Sequence, residues 1–177
     1  MLKSSLFYPF LVGFRMSELS HFDSSGNSRM VDVGDKSVTR RSARATAKVR
    51  MKTETAERIR EGDIGKGDVL GVARLAAIMA SKRTADLIPL CHPIPIDGVT
   101  VDFRFLDAES IEVSATVSTS GKTGVEMEAL TCVSVAGLTI YDMCKSIDRE
   151  MVVSEVRLEE KTGGKSGHFQ RLSPTDH

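Results

Sequence analysis

Between Ala45 and Met51 the chain alternates: Ala45, Ala47, Val49 and Met51 are apolar, while Thr46, Lys48 and Arg50 are polar. A period of two sends successive side chains to opposite faces, so the stretch predicts a strand buried on one side. Thr53 can cap a short helix to about Glu61, which the glycines of GDIGKG (62–67) then break. Asp68 opens a longer helix towards Lys82, on which Ala73, Ala76, Ala77 and Ala80 make a small-residue face suited to close packing. After the proline-rich LIPLCHPIPI (87–96), alternation returns twice. Val99, Val101, Phe103 and Phe105 form one strand, Ile111, Val113, Ala115 and Val117 the next, and the turn LDAES between them makes a hairpin. A long helix from about Val125 to Ile147, a last strand in MVVSEVRL (151–158) and a glycine-rich loop, KTGGKSG (161–167), complete the pattern. Strand, helix, helix, strand, strand, helix, strand is the βαββαβ plan with one extra helix. It predicts an α+β ferredoxin-like sandwich on an antiparallel sheet.

The long helix is the most informative element. From Ala129 to Tyr141 it carries no charge, and apolar side chains fall all round it. Such a helix is buried, in a domain or at a subunit interface. Glu126, Glu128, Asp142 and Lys145 flank the apolar stretch. At the angular step of a helix, Glu128, Asp142 and Lys145 share a sector roughly 100° wide. Charges beside an apolar run are costly unless paired or used. Glu128 and Asp142 are nevertheless about 21 Å apart along the axis. Either the ligand is long, or the site combines opposite helix ends from two subunits, which predicts a symmetric oligomer with shared sites.

Two further constellations point to chemistry. Pro89, Pro93 and Pro95 stiffen the backbone around Leu90-Cys91-His92, presenting His92 on a rigid mount. Lys66 and Lys122 sit in Gly-Lys segments just before helices, where backbone N–H groups favour anions, and Lys161 and Lys165 lie in the glycine-rich loop. Together they suggest phosphate handling. A P-loop is excluded, because the first glycine of its motif falls at Thr116 or Glu159.

Composition narrows the partners. The 177 residues fit one domain, and 24 basic against 24 acidic residues leave no basic excess for nucleic acid or a membrane surface. Cys91, Cys132 and Cys144 form no C-x-x-C pair, so reduced thiols in a cytoplasmic protein are expected, and no structural metal site. The first fifteen residues resemble a weak leader interrupted by Pro9 and are read as preceding the true start at Met16; no other segment is apolar enough to cross a membrane. The expected organisation is an extension and mobile arm over 1–36, a catalytic domain over 37–169 and a tail over 170–177.

Taken together, KGDVLGVARLAAIMASKRTADLIPLCHP, GKTGVEMEALTCVSVAGLTIYDMCK and the closing KTGGKSG resemble the cyclic pyranopterin monophosphate synthase family, the C protein of molybdenum cofactor biosynthesis. The resemblance runs from Met16 to about Phe169. It implies a lyase that converts a 3′,8-cyclised dihydroguanosine triphosphate into cyclic pyranopterin monophosphate and diphosphate. It further implies that Leu90, Cys91, His92, Met127 and Glu128, with Glu126 beside them, line the substrate pocket. Asp142 matches the catalytic aspartate, with Lys145 next to it; Lys66 and Lys161 match essential basic residues, and Asp32 lies on a loop closing over the site. The implied assembly is a homohexamer built from dimers. No cofactor is firmly implied, and Mg²⁺ with the triphosphate is left open. Two rival readings remain: a non-catalytic nucleotide-binding oligomer of the same fold, and a metal-dependent hydrolase using Cys91, His92 and Glu128, whose adjacent Cys-His is poor chelate spacing.

Overall fold

A computed structural model describes residues 26–172. The leader-like residues 1–15, the first part of the arm and the tail beyond residue 172 lie outside the described residues. The chain divides between Val31 and Asp32, and everything below concerns Asp32 onward.

The order is β1 (Thr39–Arg50), α1 (Thr53–Glu61), α2 (Val69–Ser81), α3 (Thr84–Leu87), β2 (Gly98–Phe105), β3 (Ser110–Gly121), α4 (Glu126–Cys144), β4 (Val152–Thr162) and β5 (Phe169–Gln170). The strands form one sheet in the order β2-β3-β1-β4-β5, every neighbouring pair antiparallel. This is the ferredoxin-like α+β sandwich, with α1 and α3 added to its two main helices. The alternation read from Ala45 begins earlier, at Ala43, because Thr39-Arg40-Arg41-Ser42 extends β1 without an apolar signal. Likewise β4 runs through Lys161 and Thr162, so part of the expected loop is strand.

The core lies between the helices and one sheet face. Ala43, Ala45, Ala47 and Val49 of β1 are buried there beside Ile111, Val113, Ala115 and Val117 of β3. The small residues admit α2 and α4 close together: Ala73 and Ala77 are fully buried, and the Cys132 thiol donates to the Ala77 carbonyl at 3.2 Å. Gly137 brings α4 onto the sheet, since a Cβ there would stand 2.8 Å from Val153.

Two local expectations change. Asp68 caps α2 as expected, accepting from the Gly71 N–H at 2.9 Å. Thr53 is instead the first residue of α1, whose N-cap, Lys52, offers no side-chain acceptor. Asp148, far along the chain, accepts from the Lys52 N–H at 2.8 Å and supplies the missing cap. By length and composition α4 also passes as a membrane span, contrary to the reading of the sequence; here ten of its residues, Glu128 and Val133 among them, are buried in the fold.

Candidate active site

The two ends of α4 carry different chemistry. At the C-terminal end, Asp142 and Lys145 are one turn apart on the same face. The Lys145 ammonium donates to Asp142 Oδ1 at 2.6 Å. Lys66 arrives from the loop between α1 and α2, where Gly62 turns the chain in the left-handed region and buried Ile64 anchors it. Its ammonium donates to the Asp142 main-chain carbonyl at 2.8 Å and stands 3.8 Å from Oδ2. The hydrogen bond from Lys145, then the charges of Lys145 and Lys66, hold the Asp142 carboxyl below the usual range. In return, the hydrogen bond to Asp142 and its charge push Lys145 up. Lys145 therefore rests as an ammonium that holds its proton more tightly than a free lysine. All three side chains are about half exposed, so the trio adds little to stability.

At the N-terminal end the turn from β3 into α4, with the loop after β4, encloses a cleft of about 660 Å³. Lys36, Arg41, Lys122, Lys161 and Lys165 line it against the acids Asp35 and Glu126, five cations to two anions. The α4 N-cap, Val125, provides no side-chain acceptor, and the helix start adds the positive end of its dipole to this field. Arg41 is held by donating from Nε to the Gly121 carbonyl at 3.0 Å and from Nη2 to that of Lys122 at 3.1 Å. Lys161 lies 3.9 Å from Glu126 and donates to Ser166. The Lys122 ammonium donates to the Gly34 carbonyl, fastening the loop whose Asp32 accepts from the Gly34 N–H at 2.7 Å. Gly163 lets the loop after β4 pass close to β1: its φ is +88°, and a Cβ would meet the Arg40 carbonyl oxygen at 2.3 Å.

Beside the cleft lies Glu128, 3% exposed. Burial raises its pKa, its own backbone N–H partly offsets this, and the charge of Glu126 raises it further. Cys91, in the LCHP loop, is raised by burial and then by the charge of Glu128. The loop is seated where Thr119 donates to the Pro95 carbonyl at 2.5 Å and Ile94 and Ile96 pack on the core. Leu90, Cys91 and His92 are all half-buried, while Met127 is exposed. Cys132 and Cys144 are pushed by burial to about 11, which makes them inert thiols. Among the described residues no three His, Cys, Asp or Glu side chains gather as a metal cage.

Glu128, Asp142 and Lys145 therefore do not share an open face, as their helical sector suggested. Glu128 is buried, whereas Asp142 and Lys145 are more than half exposed. Lys66, Asp142 and Lys145 are brought together; Glu126 and Lys161 form a second group with the Asp32 loop, and Cys91 joins Glu128. Arg41 and Lys36 were missed. Arg41 continues the inward phase of Ala43 and Ala45, and following that alternation backward would have found it.

The fold and site define an α+β protein with a carboxylate between two ammonium groups at one end of α4 and a cation-lined cleft at the other. The sequence profile of the MoaC family matches residues 30–164. Cyclic pyranopterin monophosphate synthase of Desulfitobacterium hafniense is 60% identical over 154 residues, covering 87% of this chain and 94% of that protein. The proteins of that name from Heliobacterium modesticaldum and Roseiflexus are each 60% identical, covering 88% and 87% of this chain and 99% and 98% of their own. This chain belongs to the MoaC family.

Proposed function

We propose that this chain is a cyclic pyranopterin monophosphate synthase of molybdenum cofactor biosynthesis. It converts (8S)-3′,8-cyclo-7,8-dihydroguanosine 5′-triphosphate into cyclic pyranopterin monophosphate and diphosphate. The observation that carries the reading is the Lys66–Asp142–Lys145 trio, a proton donor, a carboxylate and a second cation within hydrogen-bonding reach. Rebuilding a purine-derived ring into a pterin needs ring opening, proton transfers and reclosure, which such a trio serves. Lys66 and Lys145 form the acid–base pair, and Asp142 orients or deprotonates Lys145.

Closing the cyclic phosphate requires a ribose hydroxyl to attack the α-phosphorus. One P–O bond forms, the bond to the bridging oxygen breaks, the hydroxyl proton passes to a base and diphosphate leaves. Positioning and cationic stabilisation carry most of such a step. The cleft lined by Arg41, Lys122, Lys161 and Lys165 has the charge to hold the triphosphate, with Glu126, Met127, Glu128, Leu90, Cys91 and His92 reading the rest and Asp32 on the covering loop. The two ends of α4 are about 21 Å apart, so each site is shared between subunits of a homo-oligomer, a hexamer built from dimers, in the cytoplasm.

Incubating the protein with the cyclised GTP derivative and detecting the pyranopterin and diphosphate tests the reading. Product is expected from the wild type and not from Lys145→Ala or Asp142→Ala. Normal turnover in both variants would remove the trio from the mechanism. Binding without product by a folded wild-type oligomer would favour the nucleotide-binding alternative.

A further inference from the structure

Asp148 is fully buried, yet it lies outside the residues that approach either cluster. It closes the turn that follows α4, its N–H donating to the Cys144 carbonyl at 3.0 Å, three residues beyond Lys145. Its side chain is fully used. Oδ2 accepts from the Lys52 N–H at 2.8 Å and the Thr55 hydroxyl at 3.3 Å, and Oδ1 accepts from the Glu150 N–H at 3.0 Å. Both Lys52 and Thr55 belong to the start of α1. One carboxylate thus ties the turn after α4, which carries Asp142 and Lys145, to the helix whose far end leads to Lys66.

α1 seats Thr55, Ala56 and Ile59 in the core, and the Asp148 tie fixes its first turn against the end of α4. The adjacent Lys52–Glu150 pair, 3.0 Å, is exposed and constrains little. A helix of nine residues is about 13 Å long, so pivoting its capped end by about 5° moves the loop bearing Lys66 by about 1 Å. A displacement of that size is enough to degrade a catalytic alignment.

We infer that Asp148 is a positioning residue: it clamps α1 to the end of α4 and thereby sets the distance of Lys66 from Asp142 and Lys145. The inference about geometry is independent of the reaction; its kinetic consequence rests on the function proposed above.

The test follows the Asp142 carboxyl by its 13Cγ shift during a pH titration, alongside kcat and KM for pyranopterin formation. The proteins are wild type, Asp148→Asn, Thr55→Val and, as a destabilised control at the other end of β3 from the clamp, Val117→Ala. In Asp148→Asn the Asp142 pKa is expected to rise towards that of an ordinary aspartate as Lys66 withdraws. Thr55→Val, which keeps the carboxylate and its two backbone donors, should show a smaller rise and keeps the test open if Asp148→Asn does not fold. On the same reading kcat falls 10- to 100-fold in Asp148→Asn while KM holds within about twofold. Val117→Ala should leave the Asp142 titration unmoved. An unchanged Asp142 titration in the folded clamp variants, or an equal change in Val117→Ala, overturns the positioning role. A shifted titration in a protein whose wild type makes no pyranopterin supports the clamp and removes the proposed reaction instead.

Discussion

The two ends of α4 are built from the same kinds of residue, carboxylates beside lysines, and they treat their carboxylates in opposite ways. At the C-terminal end Asp142 stays in water between two ammonium groups, and its pKa is lowered. At the N-terminal end Glu128 is buried with another acid for company, and its pKa is raised. The cations around the cleft do not rescue it: Lys161 spends itself on Glu126 and Ser166, and Arg41 on two carbonyls. Residue type therefore does not set the direction of the shift here; burial and neighbouring charge do.

The sharpest break between the ends is kinetic. Removing the proton donor with Lys145→Ala should lower kcat by about 10²- to 10⁴-fold, the usual worth of a positioned general acid, with KM little changed. Single-turnover product formation checks it. A variant that lost only apparent affinity would move Lys145 from the chemistry to binding.

At the cleft the expected pattern is the reverse. Arg41→Ala removes a cation with a fixed, carbonyl-held orientation, which should weaken substrate binding by about 10- to 100-fold, the worth of one charge-assisted hydrogen bond. The effect should appear mainly in KM and grow smaller at high salt. A pure kcat effect from Arg41→Ala would erase the division of labour between the ends.

How much of this was legible in the sequence follows from how local each signal is. Strands β2 and β3 and the cap of α2 depend on neighbouring residues, and alternation and Asp68 announced them. The Lys66, Asp142 and Lys145 positions stood out because glycines or an apolar run isolate them, and their meeting follows from one helix turn plus one loop. Arg41 was hidden because the alternation of β1 turns polar at its start. The burial of Glu128 was hidden for a different reason. It depends on what packs against α4 from elsewhere in the chain, and helical periodicity sees only one helix at a time. The cap of α1 by Asp148 is non-local in the same way, and a permissible candidate at Thr53 masked it.

The smallest expected effect separates the ends most cleanly, because it depends on sign. Glu128 binds its proton more tightly in the folded protein than the ordinary value of 4.5. Its stabilising contribution is therefore complete below that pH and declines as pH rises through the raised folded value. Asp148 behaves oppositely. Burial alone would raise it, but three hydrogen bonds hold it below the ordinary 3.8, so its contribution is present above 3.8 and is lost as pH falls through the lowered value. The two windows do not overlap. Urea unfolding as a function of pH should show Glu128→Gln removing a decline above pH 4.5 and stabilising the protein at neutrality, since an amide leaves no charge to bury. Asp148→Asn should instead lower stability at neutral pH by about 2 kcal/mol, the order of one or two charge-assisted hydrogen bonds, and flatten the acid limb below 3.8. If Glu128→Gln destabilised the protein at neutral pH, Glu128 would have to be ionised and paired. The N-terminal end of α4 would then be electrostatically the same as its C-terminal end.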